Sequence, residues 1–189
     1  MKNVLRNKRG IAGFTIVELL IVLAIIAVLA VVGVPFARGI IVGGKTEPTA
    51  NDINKIVAKL RGNYAGQGNT PYSAITTSVF ANTARNLAST LTVTGSGTTA
   101  TVQHDIGVAN SQITVAPGTV ANPGDAYVVT VPTVNDAACP GLAVQLSRAS
   151  DVITINGVSV KPLFGTFNAG AAQNACTPDD TNTFAFTFR

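Results

Sequence analysis

The stretch Gly13-Phe14-Thr15-Ile16-Val17-Glu18-Leu19-Leu20-Ile21-Val22 decides how this chain is read, because it joins a basic leader to an apolar run. Ahead of it stand Lys2, Arg6, Lys8 and Arg9 with no acid among them, and beyond it Leu19 to Ala37 carries no polar side chain. Nineteen residues at ~1.5 Å each span about 28 Å, close to the ~30 Å hydrocarbon core of a bilayer. Cations in front of such a segment hold the N-terminus in the cytoplasm and send the rest outward. The sequence therefore predicts a chain that enters or crosses a membrane, with Glu18 abutting the span. An acid there costs up to ~3 kcal/mol at mid-membrane, less near the interface, and tends to be functional.

Three readings compete for the segment. A secretory signal peptide has an apolar core of about 7–15 residues and a small-residue cut site. Val28-Leu29-Ala30 has the form of such a site, but the apolar run continues beyond it. A plain membrane anchor fits the length and leaves Glu18 unexplained. The third reading comes from a resemblance: the basic leader ending in Gly13, the Phe14-Thr15-Ile16-Val17-Glu18 pattern, the long apolar helix and Pro35 in register resemble the N-terminal signature of type IV pilins.

That resemblance implies a series of expectations. Prepilin peptidase would cut between Gly13 and Phe14 and N-methylate Phe14. Glu18 would serve assembly by neutralising the N-terminus of a neighbouring subunit; opposite charges so placed in dry surroundings attract strongly, while each alone is costly. The implied fold is α+β, one long N-terminal α-helix packed on an antiparallel β-sheet head with a C-terminal disulfide-bounded region. The implied function is that of a structural subunit polymerised into a surface pilus serving adhesion, motility, DNA uptake or mating, with no catalysis and no cofactor. Its partners would be copies of itself, prepilin peptidase, an inner-membrane assembly platform and the membrane before assembly. Localisation follows as the inner membrane of a Gram-negative bacterium, N-terminus inside, and then the extracellular filament. A helix apolar all round must be buried in lipid or in protein, and both jobs satisfy that demand in turn.

Working outward, the expected organisation is a leader over 1–13, a long helix over 14–61 and a globular head over 62–189. The helix divides into a membrane and filament-core part, 14–42, and an amphipathic part, 46–61. Gly33, Pro35, Gly39 and Gly43-Gly44 predict a helix break between 33 and 44, through a missing N–H and weak propensity. Thr46-Glu47-Pro48-Thr49-Ala50-Asn51-Asp52 offers start signals for the second part. Ile53, Ile56, Val57 and Leu60 then fall on one face, with Asp52, Asn54, Lys55 and Lys59 largely on the other.

The head reads as mixed. A helix is expected over roughly Ser78 to Ala88, and a hairpin from Leu91 to Val102 around Gly95-Ser96-Gly97. Ala126 to Val131 is the strongest single strand. Asn156-Gly157 between Asp151–Ile155 and Val158–Val160 is a hairpin turn between β-branched runs. A short helix is expected over Pro140 to Ala149, and Thr183 to Phe188 alternates as a last strand with three phenylalanines on one face. Tyr64-Ala65-Gly66, Tyr72 to Thr77 and the short helix after Cys139 resemble the type IVb branch, including thin-pilus pilins of conjugative systems. Cys139 and Cys176 are the only cysteines, both on the predicted exported side, where a pair is bonded rather than free. The resemblance places them around the pilin C-terminal region, and entropy models put such a staple at about 3–4 kcal/mol.

Composition closes off other classes. Of 189 residues 47% are apolar and 12% charged, about half the usual ~25% charged, which excludes a disordered chain. The net charge of +4 resides in the leader; after Gly13 basic and acidic side chains balance, so no nucleic-acid face is predicted. One histidine, His104, excludes multi-histidine metal sites; beside Asp105 it forms no recognisable triad and is expected on the surface. Asp179-Asp180-Thr181-Asn182 lacks the ligand pattern of a calcium loop and reads as a solvated acidic turn. Two alternatives remain at this level: a pseudopilin of a type II secretion system, and an anchored or secreted binding domain that never polymerises.

Overall fold

The structure is a computed structural model and describes residues 14–189. Contacts divide the chain into two compact units, residues 1–37 and 38–189. The leader residues 1–13, with Gly13, lie outside the described residues. So do the side chains of Val32, Pro35 and Phe36.

Helix α1 runs over Ile16–Tyr64. It is continuous through Gly33, Pro35, Gly39, Gly43 and Gly44, and the start signals at 46–52 begin no separate helix. A proline removes one N–H and costs roughly 3 kcal/mol inside a helix, which long helical flanks can absorb. Gly39 and Gly43 both face Ala137, so these glycines admit a neighbouring turn. The amphipathic half behaves as its spacing predicts: Ile53, Ile56, Val57 and Leu60 are buried. Asp52, expected on the solvent face, is buried too.

The rest of the second unit is one seven-stranded sheet flanked by short helices. In chain order it holds α2 (Thr77–Ala84), β1 (Thr92–Thr94), β2 (Thr101–His104), β3 (Ser111–Thr119), β4 (Pro123–Val134), α3 (Cys139–Leu146), β5 (Val152–Ile155), β6 (Val158–Lys161), α4 (Ala169–Ala175) and β7 (Asn182–Phe188). The spatial order is β1-β2-β3-β4-β7-β5-β6, every pairing antiparallel. Alternation in β7 puts Phe184, Phe186 and Phe188 inward, where all three are buried with Ile53, Ile56 and Leu60 of α1 in one core. An aromatic chain Tyr64–Tyr72–Tyr127–Phe188 closes one end of it, with centroid separations of 5.4, 4.7 and 5.5 Å. Asn156 and Gly157, both at positive φ, make the β5–β6 turn that the sequence announces.

Candidate assembly and processing site

At the start of α1, Thr15 and Glu18 close on each other. The Glu18 N–H donates to Thr15 Oγ1 (3.2 Å), while the Thr15 N–H and hydroxyl both donate to Glu18 Oε2 at 3.0 Å. This reciprocal arrangement is a capping box, which satisfies donors that a helix start otherwise leaves unpaired. The sequence signal for it, Thr-x-x-Glu ahead of an apolar run, lies inside the segment quoted first, and pattern reading that used Glu18 for assembly alone passes over it. The carboxylate that the resemblance assigns to a neighbour's N-terminus is thus already fixed in rotamer by its own subunit.

Around it nothing else is covered. Phe14 is 87% exposed, and every described side chain from Phe14 to Ala37 is exposed. Among the described residues no helix is long and apolar enough to cross a membrane. Contiguous apolar surface of this extent marks a protein or membrane contact.

His104 is buried rather than on the surface, because the inward alternation of β2 carries Val102 and His104 into the core. Its Nε2 lies 2.9 Å from the Pro132 carbonyl and its Nδ1 has no partner. Burial pushes its pKa down, against the Pro132 carbonyl and Asp105, which favour the charged form. Ser111 is its cross-strand partner on β3, with its hydroxyl engaged by that of Thr133, and among the described residues no cluster of three or more His, Cys, Asp or Glu side chains suits a metal ion.

The acidic turn has a cation from the chain itself. Asp180 accepts from Arg38 Nη2 at 2.5 Å and from Asn135 Nδ2 at 2.8 Å, and Arg38 also reaches the Gly107 carbonyl at 3.2 Å. Asp52 holds a second clamp that the sequence did not announce: its Oδ2 accepts from the N–H groups and hydroxyls of both Ser89 and Thr90, at 2.7 to 3.3 Å. Its Oδ1 accepts from Lys55 Nζ at 2.9 Å. Burial pushes this carboxyl up, but Lys55 and the Ser89 and Thr90 donors outweigh it and bring the pKa down to about 2. Asn182, fully buried, joins β7 to the acidic turn, accepting from the Thr177 N–H and Asn156 and donating to Val134 and Thr177 carbonyls.

Cys139 and Cys176 form the expected disulfide, with Cα atoms 6.0 Å apart. It ties the start of α3 to the end of α4 and encloses the β5–β6 hairpin. Cys139 is buried and Cys176 half-buried, so the bridge is part of the core's edge.

Comparisons with known proteins agree with this architecture. The family model described as PilS N terminal matches residues 44–189, and that described as the prokaryotic N-terminal methylation motif matches residues 8–34. A search of curated proteins found no match. Among solved structures, the chain is similar to the crystal structure of a type IVb pilin from Salmonella typhi, at 23% identity and TM-score 0.56, over 77% of this chain and 99% of that one. It is also similar to TcpA, a type IV pilin from Vibrio cholerae El Tor (14%, TM-score 0.48, 76% and 99%). A solution structure of the type IVb pilin PilS from Salmonella typhi follows (25%, TM-score 0.43, 71% and 91%). The first of these establishes the fold. With the matched family spanning most of the chain and the methylation motif lying over the leader junction, this chain belongs to the PilS family of type IV pilins, a pilus subunit with a type IVb-like head and not an enzyme.

Proposed function

We propose that the chain is stored in the inner membrane with its N-terminus in the cytoplasm, cut between Gly13 and Phe14, methylated on Phe14 and extracted into a filament. The leader, 1–13, is the part removed; residues 14–42 form the filament core, and 62–189 the exterior. The observation that carries this reading is the coexistence of an exposed apolar helix and one ordered carboxylate, Glu18, at its tip. A helix of that surface requires lipid before assembly and other copies of itself after it. A cut at Gly13 creates an α-amine four residues from Glu18, whose capping rotamer presents one ordered oxygen pair to that region. Pairing with the amine of an adjacent subunit gives each buried charge its partner. The assembly platform in the membrane and its motor are separate proteins.

The test is the intact mass and N-terminal sequence of protein sheared from cells. A chain beginning at methylated Phe14 is the expected result. A chain beginning at Val31 means an ordinary secreted protein and removes Glu18 from assembly, and an uncut Met1 in membranes leaves a plain anchor.

A further inference from the structure

Asn156-Gly157 is the only Asn-Gly pair in the chain. Both residues stand at positive φ, 52° and 81°, and turn β5 into β6. The same pair is chemically reactive. An asparagine side-chain carbonyl carbon lies one five-membered ring away from the nitrogen of the next residue, and a glycine there puts no Cβ in the way. Both residues are exposed, and nothing lies within 4 Å of where a Cβ on Gly157 would stand, so water reaches the turn.

The fold adds a restraint on the Asn156 amide. Its Nδ2 donates to Asn182 Oδ1 at 2.9 Å and to the Ala175 carbonyl at 3.0 Å, and its Oδ1 accepts from the Thr183 N–H at 2.8 Å. Asn182 is fully buried and fixed in turn by the Thr177 N–H and by the Val134 and Thr177 carbonyls. Ala175 adjoins Cys176 of the disulfide. The β5–β6 turn, the end of α4 and the start of β7 thus meet at one side chain. Ring closure needs the reacting atoms about 3–3.5 Å apart and aligned. An amide pinned at both its nitrogen and its oxygen is not free to rotate into that geometry, and Nδ2 has to leave two acceptors before it departs. We propose that Asn156 is a self-modification site, converted through a succinimide to aspartate or isoaspartate at a rate gated by the Asn182 junction.

In the first step the Gly157 nitrogen gives up its proton through solvent and bonds to Asn156 Cγ. The Cγ–Nδ2 bond breaks, and Nδ2 takes up a proton and leaves as ammonia. Water then opens the ring at one of its two carbonyl carbons. Opening at Cγ restores the main chain with an aspartate; opening at the main-chain carbon routes the chain through Cγ, as isoaspartate. One water is consumed and one ammonia released, with no change of oxidation state. Either product undoes the junction that slowed it. A carboxylate at position 156 has no hydrogen to offer, yet it faces two acceptors, Asn182 Oδ1 and the Ala175 carbonyl. Isoaspartate also lengthens the backbone of a two-residue turn on which the β5–β6 register depends. The conversion therefore marks heads that have opened at this edge and loosens them further. It is independent of how subunits assemble.

The experiment incubates the full chain in detergent at mildly alkaline pH and follows the peptide containing Asn156 by mass spectrometry, the other asparagines in the same digest serving as reference. In the parent unfolded in urea with its bridge reduced, Asn156 is expected to convert ahead of every other asparagine. In the folded parent it should convert at least about tenfold more slowly, as one or two hydrogen bonds to be broken would give. Asn182→Ala, folded by circular dichroism, should recover about tenfold of that rate. Absence of conversion in the unfolded chain overturns the site. Equal rates in the folded and unfolded parent, or a folded Asn182→Ala no faster than the parent, overturn the gate. Should Asn182→Ala not fold, the parent in urea below its unfolding transition replaces it: a rate that rises with urea there supports local gating, and one that stays flat until global unfolding overturns it. Asn156→Asp, which carries the converted side chain, should unfold at a lower urea midpoint than the parent, and an unchanged midpoint overturns the loosening.

Discussion

Residues 14–37 and residues 38–189 treat their apolar side chains in opposite ways. In the first, every described side chain lies open, and among the described residues its side-chain hydrogen bonds are those between Thr15 and Glu18. In the second, three inward phenylalanines, the apolar face of α1 and the disulfide form one closed core, and buried polar groups such as Asp52 and Asn182 are satisfied from within. One unit is complete as a single molecule and the other is complete only with a partner. Substitutions in the first should therefore be read out as loss of assembly, and substitutions in the second as loss of stability.

The sharpest way to break that division is Glu18→Ala. On the proposed assembly, it leaves the α-amine of a processed Phe14 without its partner in a dry filament core, a defect of about 3–5 kcal/mol repeated at every subunit. Filaments should be abolished, by electron microscopy of sheared fractions, while thermal unfolding of the head in detergent stays within about 0.5 kcal/mol of the parent. A head that melts earlier, or filaments that persist, would dissolve the distinction. Next in size, Cys139→Ala with Cys176→Ala should destabilise the head by about 3–4 kcal/mol, read by urea unfolding under non-reducing conditions. The leader cut should be unaffected.

The same division explains what was legible in the sequence. Residues 14–37 signal their role through composition and local spacing alone, because no tertiary contact is needed to make an apolar helix with a capped start. In the head, the strands of β4, β7 and the Asn156-Gly157 hairpin were readable from alternation and turn chemistry. The β3 strand was not: Ser111 to Thr119 contains Gln112, Thr114, Pro117 and Gly118, and its outward face is polar or small, so only its pairing with β2 and β4 makes it a strand. Helix α4 escaped as well, being seven residues of Ala, Gly, Gln and Asn started by the Asn168 side chain. The long-range clamps were out of reach for a different reason. Asp52 meets Ser89 and Thr90 across 37 and 38 positions, and Arg38 meets Asp180 across 142, distances at which helix or strand periodicity carries no information.

Asp52 offers the next smaller effect. Asp52→Ala leaves the Ser89 and Thr90 donors without their shared acceptor and should cost about 2–3 kcal/mol, because partners stranded in a part-buried site pay their desolvation. The pH dependence carries the same sign. The folded pKa, about 2, lies below the ordinary 3.8, so the unfolded chain binds the proton more readily. The contribution is present above pH ~4 and is lost as the pH falls through about 2, roughly 2 kcal/mol in all. Urea midpoints of the parent and of Asp52→Asn should converge across that interval, and parallel curves would show that Asp52 contributes packing and no charge.

The smallest expected effect belongs to His104, and it lies in a window where little else titrates, since this is the chain's single histidine. Donation from Nε2 to the Pro132 carbonyl leaves Nδ1 as a bare lone pair in the core. A proton added there would be a buried donor without an acceptor, so burial holds the folded pKa below the ordinary 6.5. The unfolded chain then binds the proton first as pH falls, and stability is fully present above pH ~6.5 and declines below it, by at most about 1.4 kcal/mol per pH unit. His104→Gln keeps a donor for the Pro132 carbonyl but cannot titrate. Unfolding of the parent followed from pH 7 to pH 5 should show a decline that the Gln variant lacks. The strain would be felt first where β4 turns at Thr133, whose positive φ holds the Pro132 carbonyl against the ring and the Thr133 carbonyl within contact of Gly107. Amide exchange at Val108 and Asn135, which close that turn by donating to the Thr133 and Ile106 carbonyls, should therefore quicken in the parent before the rest of the sheet does.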